Sequence, residues 1–128
     1  MINVEGLLII MNTTKSVLLV DDDEDIVDFL NGFFGDKYSI FQAYDGKEAL
    51  KKFESETPNL VVTDIKIPEI NGLELIKEIR KISGTKIIAI SGGGDAGLNE
   101  AKKLGADYIL RKPLEMPELL ELVKKLLG

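Results

Sequence analysis

The chain has 128 residues, enough for one compact domain with its own core and too few for two ordinary ones. Apolar residues make up 45% and charged residues 30%, the balance of a folded domain rather than a disordered one. A formal net charge of -6 without a long Lys/Arg stripe argues against direct binding to nucleic acid or an anionic membrane, and the absence of Cys and His removes disulfides, thiolate zinc sites, Ser-His and Cys-His catalysis and imidazole ligation together. What remains is the chemistry of oxygen ligands and hard cations.

The opening MINVEGLLIIMNTT carries a short apolar run, Leu7 to Met11, with no basic flank and too few residues to span a bilayer. Residues 1–14 read as a loose N-terminal extension and residues 15–128 as the domain. From there, short β-rich runs alternate with segments of helical period, an α/β pattern. KSVLLV is a first strand, followed by a helix carrying Ile26, Val27, Phe29, Leu30, Phe33 and Phe34 and ending near Gly35. YSIFQAY is a second strand, and DGKEALKKFESETP a second helix that stops before Pro58. NLVVTD, the helix NGLELIKEIRKIS and the strand KIIAIS follow. After a Gly-rich break, LNEAKKL gives a fourth helix of about two turns, ADYILRK a fifth strand and MPELLELVKKLL a closing amphipathic helix. The pattern is (βα)5, with the first four strands expected to be buried.

Near-continuous apolar strands joined by helical crossovers imply a doubly wound parallel sheet covered on both faces, and such open sheets bind ligands outside the carboxyl ends of their strands. At those ends stand Asp21 and Asp22, then Asp64, Ser91 and Lys112. The run Asp21 to Asp25 is acidic throughout. Two carboxylates about 4 Å apart repel by roughly 4 kcal/mol at an effective dielectric of about 20, against a domain stability of about 5–15 kcal/mol. Capping and turn roles account for any one of these residues alone. Together they suit a divalent cation such as Mg2+, bound by carboxylates, with Asp64 able to attack phosphorus and Lys112 and Ser91 able to hold phosphoryl oxygens.

VLLVDDDED, LVVTDIKIPEINGLEL, IIAIS and GADYILRKP, in that order and spacing, resemble the receiver domain of two-component response regulators from about Ser16 onward. The resemblance implies a flavodoxin-like five-stranded sheet in the order 2-1-3-4-5 and a cis Lys112-Pro113 peptide. It makes Asp64 the phosphoacceptor and assigns Mg2+ to Asp21, Asp22, Asp64 and the backbone carbonyl of Lys66. Ser91 and Lys112 are left to bind the phosphoryl group. It further implies a sensor histidine kinase or histidine phosphotransfer protein as donor, an unknown downstream protein as target, no nucleic acid or membrane partner, a cytoplasmic monomer or weak dimer, and no turnover enzyme. With no linker or second domain after the last helix, a stand-alone receiver is expected.

Other readings fit less well. Gly92, Gly94 and Gly97 match GxGxxG, but the dinucleotide fingerprint belongs to a first βαβ unit. DDDED lacks the later Gly and Glu of an EF-hand, having Ile26 and Gly32 in their places. A haloacid-dehalogenase-type phosphatase would use Asp21 and Asp23 as its DxD, yet would not need Asp64. A receiver-fold binding module that works without phosphorylation is a further alternative. Three features depart from the family pattern: Ser91 stands for the commoner Thr, Lys66 is a cation two residues after the acceptor, and Ile109 occupies the usual aromatic switch position with Tyr108 one residue earlier. Ile109 is β-branched and stiff, so the Gly92 to Leu98 segment is expected to carry the rearrangement.

Overall fold

The computed structural model describes residues 14–128, so the expected N-terminal extension lies almost entirely outside the described residues. Strands β1 (Ser16–Val20), β2 (Ser39–Ala43), β3 (Leu60–Asp64), β4 (Lys86–Ser91) and β5 (Tyr108–Arg111) alternate with helices α1 (Glu24–Phe34), α2 (Gly46–Glu56), α3 (Gly72–Ile82), α4 (Asp95–Leu104) and α5 (Met116–Leu127). The sheet is parallel in the order β2-β1-β3-β4-β5, as expected. Lys112-Pro113 is cis.

Side chains alternate across a strand, and here both faces are covered. Leu18 and Val20 of β1 pack with α2 and α3 residues such as Phe53, Leu75 and Ile79 on one side. Val17 and Leu19 pack with Val27 and Leu30 of α1 and Leu119 of α5 on the other. That is why the central strands read as continuous apolar runs. The outer strands differ: β2 is mostly half-exposed and β5 ends exposed at Arg111, because each has a neighbour on one edge alone. The expectation that the first four strands are buried therefore fails at β2.

Helix α1 exposes part of its apolar content, and α4 is longer than the two turns expected. In α1 the buried stripe is Val27, Leu30 and Phe34, while Phe29 and Phe33 are 57% and 44% exposed, since six apolar residues cover a wider arc than one face of the sheet can bury. Helix α4 has 10 residues, about 2.8 turns, because Asp95, Ala96 and Gly97 already belong to it.

The loops at the carboxyl edge of the sheet are fixed by helix caps. Asp23 accepts from the Asp25 N–H at 3.0 Å, Asp45 from the Glu48 N–H at 2.7 Å, and Asn71 from the Glu74 N–H at 2.9 Å. Each such cap contributes about 0.5–2 kcal/mol. Two glycines pin the β3–α3 loop. The Gly72 N–H donates to the Ile65 carbonyl at 2.8 Å and the Gly46 N–H to the Pro68 carbonyl at 3.1 Å, and a Cβ at either glycine would overlap the backbone of that loop, at Asp64 and Ile70 respectively.

A candidate acidic site at the carboxyl edge of the sheet

The acidic run after β1 divides into distinct roles. Asp21 extends the strand, its N–H donating to the Ala43 carbonyl at 3.2 Å, and its buried carboxylate accepts the Asp23 N–H at 3.0 Å. Asp22 is exposed beside it. Asp23 caps α1, and Glu24 and Asp25 lie in the first helical turn, where the positive end of the helix dipole favours them. The repulsion is therefore spread over a strand end, a cap and a helix terminus.

Asp64 ends β3 and is 7% exposed. Its Oδ1 accepts the Lys66 N–H at 3.2 Å, and its Oδ2 accepts from the Lys112 ammonium at 2.8 Å. The same ammonium donates to Asp21 Oδ2 at 3.1 Å. Lys112 is placed by its own backbone, whose N–H donates to the Ser91 carbonyl at 3.0 Å, and its stem runs past Gly92, where a Cβ would stand 3.7 Å from it. Ser91, 3% exposed at the end of β4, accepts the Gly93 N–H through Oγ at 3.1 Å. The structure brings Asp21, Asp64, Ser91 and Lys112 together at one edge, with Asp22 at its rim.

One carboxylate oxygen each from Asp21, Asp22 and Asp64 lie within 4.8 Å of one another. Burial raises Asp21 above its usual 3.8, outweighing the opposing Asp23 N–H and Lys112 bonds, and the neighbouring Asp64 charge adds to the rise. Burial pulls Lys112 down, but its bonds to Asp64 and Asp21 leave it above 10.5 overall. The ammonium thus stays charged while burial still holds Asp21, one of its partners, back from ionising. An all-oxygen donor set short of positive charge fits Mg2+.

The Lys66 side chain, expected near the phosphoryl group from its place two residues after Asp64, lies at the β4 end of the site. A Cβ on Gly93 would be 3.3 Å from the Lys66 ammonium and 3.5 Å from Ser91 Oγ, so this second cation reaches the β4 edge of the site. No pattern announces such a crossing contact, because Lys66 and Gly93 belong to different loops. Nor does the DxD reading survive: Asp23 caps α1 through Oδ1, and it is Asp64 that joins Asp21 and Asp22 in the carboxylate cluster.

A family model for the response regulator receiver domain matches residues 17–124. The chain belongs to that family. A receiver domain is a signalling module, not a turnover enzyme. The receiver is 35% identical over 116 residues to Sporulation initiation phosphotransferase F of Bacillus subtilis (strain 168), spanning 88% of this chain and 94% of that one. It is also 35% identical over 116 residues to Alkaline phosphatase synthesis transcriptional regulatory protein PhoP of the same organism, but there it spans 48% of the relative's length. Relatives such as CrdR and ArlR are likewise spanned over about half their length. Among solved structures, a two-component response regulator from Clostridium difficile superposes with a TM-score of 0.85 at 31% identity, covering 89% of this chain and 96% of that one. A CheY-like receiver from Methanospirillum hungatei JF-1 superposes with a TM-score of 0.84 at 32% identity, covering 89% and 94%.

Proposed function

We propose that this receiver takes a phosphoryl group from a phosphohistidine donor, a sensor histidine kinase or histidine phosphotransfer protein, onto Asp64, and signals by phosphorylation-dependent binding or onward relay. The observation that carries this is the Lys112 ammonium bonded to both Asp64 and Asp21 within the carboxylate cluster. An Asp64 oxygen attacks phosphorus, and the new O–P bond forms as the N–P bond of the donor breaks, its electron pair staying on the imidazole nitrogen. Lys112 shifts from the carboxylate to a phosphoryl oxygen. The Ser91 hydroxyl accepts from the Gly93 N–H, which leaves its own proton to donate to another. Asp21, Asp22, Asp64 and the Lys66 carbonyl would hold Mg2+, which when bound offsets the negative charge of carboxylates and phosphoryl group.

The donor's docking face is an apolar groove of about 330 Å3 lined by Ile26, Phe29, Leu30, Pro113 and Met116, with Lys112 itself on its wall. A donor seated there would lie beside Lys112, whose ammonium bonds Asp64 at 2.8 Å. Among the described residues no helix is long and apolar enough to cross a membrane, and a cytoplasmic monomer or weak dimer without nucleic-acid or membrane partners is the setting we infer. The likeness to a protein named Sporulation initiation phosphotransferase F supports a relay role.

A beryllofluoride titration tests this reading. With Mg2+ present, beryllofluoride should bind with one bound fluorine signature and raise the thermal midpoint, and should do neither without Mg2+. Absence of any response would favour a binding module that works without phosphorylation.

A further inference from the structure

The two ends of α4 are held very differently. At its carboxyl end the Arg80 guanidinium, from α3, donates through Nε to the Gly105 carbonyl at 2.9 Å, through Nη1 to the carbonyls of Ser83 and Thr85 at 3.2 and 2.7 Å, and through Nη2 to Asp107 Oδ2 at 3.0 Å. Asp107 Oδ2 also accepts the Ile87 N–H at 2.8 Å, while the Asp107 N–H donates to the Ile87 carbonyl at 2.9 Å. One planar, permanently charged group therefore ties α3, the loop before β4, the end of α4 and the start of β5 into one corner. Gly105 is required there: its φ is +117, and a Cβ would come within 2.9 Å of Arg80 Nε.

At its amino end α4 has no side-chain cap, begins after Gly92, Gly93 and Gly94, and a Cβ on Gly94 would touch nothing within 4 Å. Between the two ends, Leu98 and Ala101 are buried in the core. A helix tied at one end and uncapped on a glycine lead at the other opens from the uncapped end.

We propose that Arg80 is a positioning residue that anchors the Leu104 to Asp107 corner, so that rearrangement on occupation of the acidic edge is confined to the Gly92 to Leu98 end of α4. The trigger rests on the function proposed above; the anchor does not. Packing agrees with this direction of movement. Ile109 lies against the core beneath α4, whereas Tyr108 faces the opposite cluster under the Lys125 ammonium, 5.2 Å from its ring centroid.

Amide hydrogen exchange on the full chain, with and without Mg2+ and beryllofluoride, tests the anchor, using Arg80→Met and, as a milder variant, Asp107→Asn. In the wild type, beryllofluoride should change exchange across Gly93 to Leu98 and leave Ile87, Gly105, Ala106 and Asp107 nearly unchanged. In ligand-free Arg80→Met those four amides should exchange roughly tenfold faster, with a smaller effect in Asp107→Asn, while β1 amides stay at wild-type rates. With beryllofluoride the response should then spread into the corner. The proposal is overturned by wild-type rates at the four amides in both variants, by equal acceleration throughout the sheet, or by a wild-type response as strong at Gly105 to Asp107 as at Gly93 to Leu98. If the wild type does not respond to beryllofluoride at all, the functional reading falls and the trigger with it, while the ligand-free comparison still decides the anchor.

Discussion

Lys112 and Asp64, 48 residues apart in sequence, meet at 2.8 Å, and the same ammonium holds Asp21 at 3.1 Å. One lysine is thus the internal counter-ion of a carboxylate cluster that we propose also takes Mg2+. Removing the lysine should expose that sharing. Lys112→Met should lower the metal-free stability by about 1–3 kcal/mol, the lower end applying because the side chain is partly solvated. The stabilisation gained from Mg2+ should increase, because the cation then relieves two unpaired carboxylates. Thermal unfolding with EDTA and with Mg2+ measures both, and an unchanged Mg2+ gain would contradict the shared-carboxylate picture.

Asp22 is the exposed member of the carboxylate set. Asp22→Ala should abolish the Mg2+-dependent thermal gain, which at a metal concentration of 100 times Kd amounts to about 2.7 kcal/mol. In EDTA the variant should be at least as stable as the wild type, since a repelling charge is gone. A retained Mg2+ response would move the metal away from this edge.

Asp21 gives a pH dependence of fixed sign. Its folded-state pKa is raised above 3.8 by burial, so the folded chain holds that proton more tightly than the unfolded chain. The associated stability is complete below 3.8 and is lost as pH rises through the raised folded value. Without metal, Asp21→Asn should match the wild type in acid and become progressively more stable than it toward neutrality. Chemical denaturation in EDTA across that range checks it, and a constant difference would show that Asp21 ionises as freely as in the unfolded chain.

Much of this site was legible in the sequence because strand ends are marked by the residues that stop apolar runs. Asp21, Asp64, Ser91 and Lys112 each follow such a run, and a parallel sheet must bring those ends together. What could not be read is set by contacts between separate loops. The Lys66 ammonium beside Gly93 and the four-acceptor reach of Arg80 depend on side-chain length and loop placement, not on spacing. Phe29 and Phe33 have the period of buried residues, and their exposure follows from how much of α1 the sheet can cover, a property of the packed whole.

On the docking face proposed above, the exposed Phe29 gives a test of partner recognition. Phe29→Ser should alter stability by no more than about 0.5 kcal/mol, as an exposed substitution. It should lower kcat/KM for transfer from a phosphohistidine protein by about tenfold, the effect of losing an aromatic anchor. Labelling by acetyl phosphate, which needs no docking face, should proceed at the wild-type rate. Equal losses with both donors would place Phe29 in the folding of the site and not in docking.

The central claim is that Asp64 is the phosphoacceptor, and intact-mass analysis after acetyl phosphate treatment tests it most directly. With Mg2+ the wild type should gain a single phosphoryl group, removable by hydroxylamine as an acyl phosphate, and should gain none in EDTA. Asp64→Asn keeps the shape of the side chain and its backbone contacts while removing the nucleophile, so it should remain folded and unlabelled. Labelling of that variant at the wild-type rate would contradict the account.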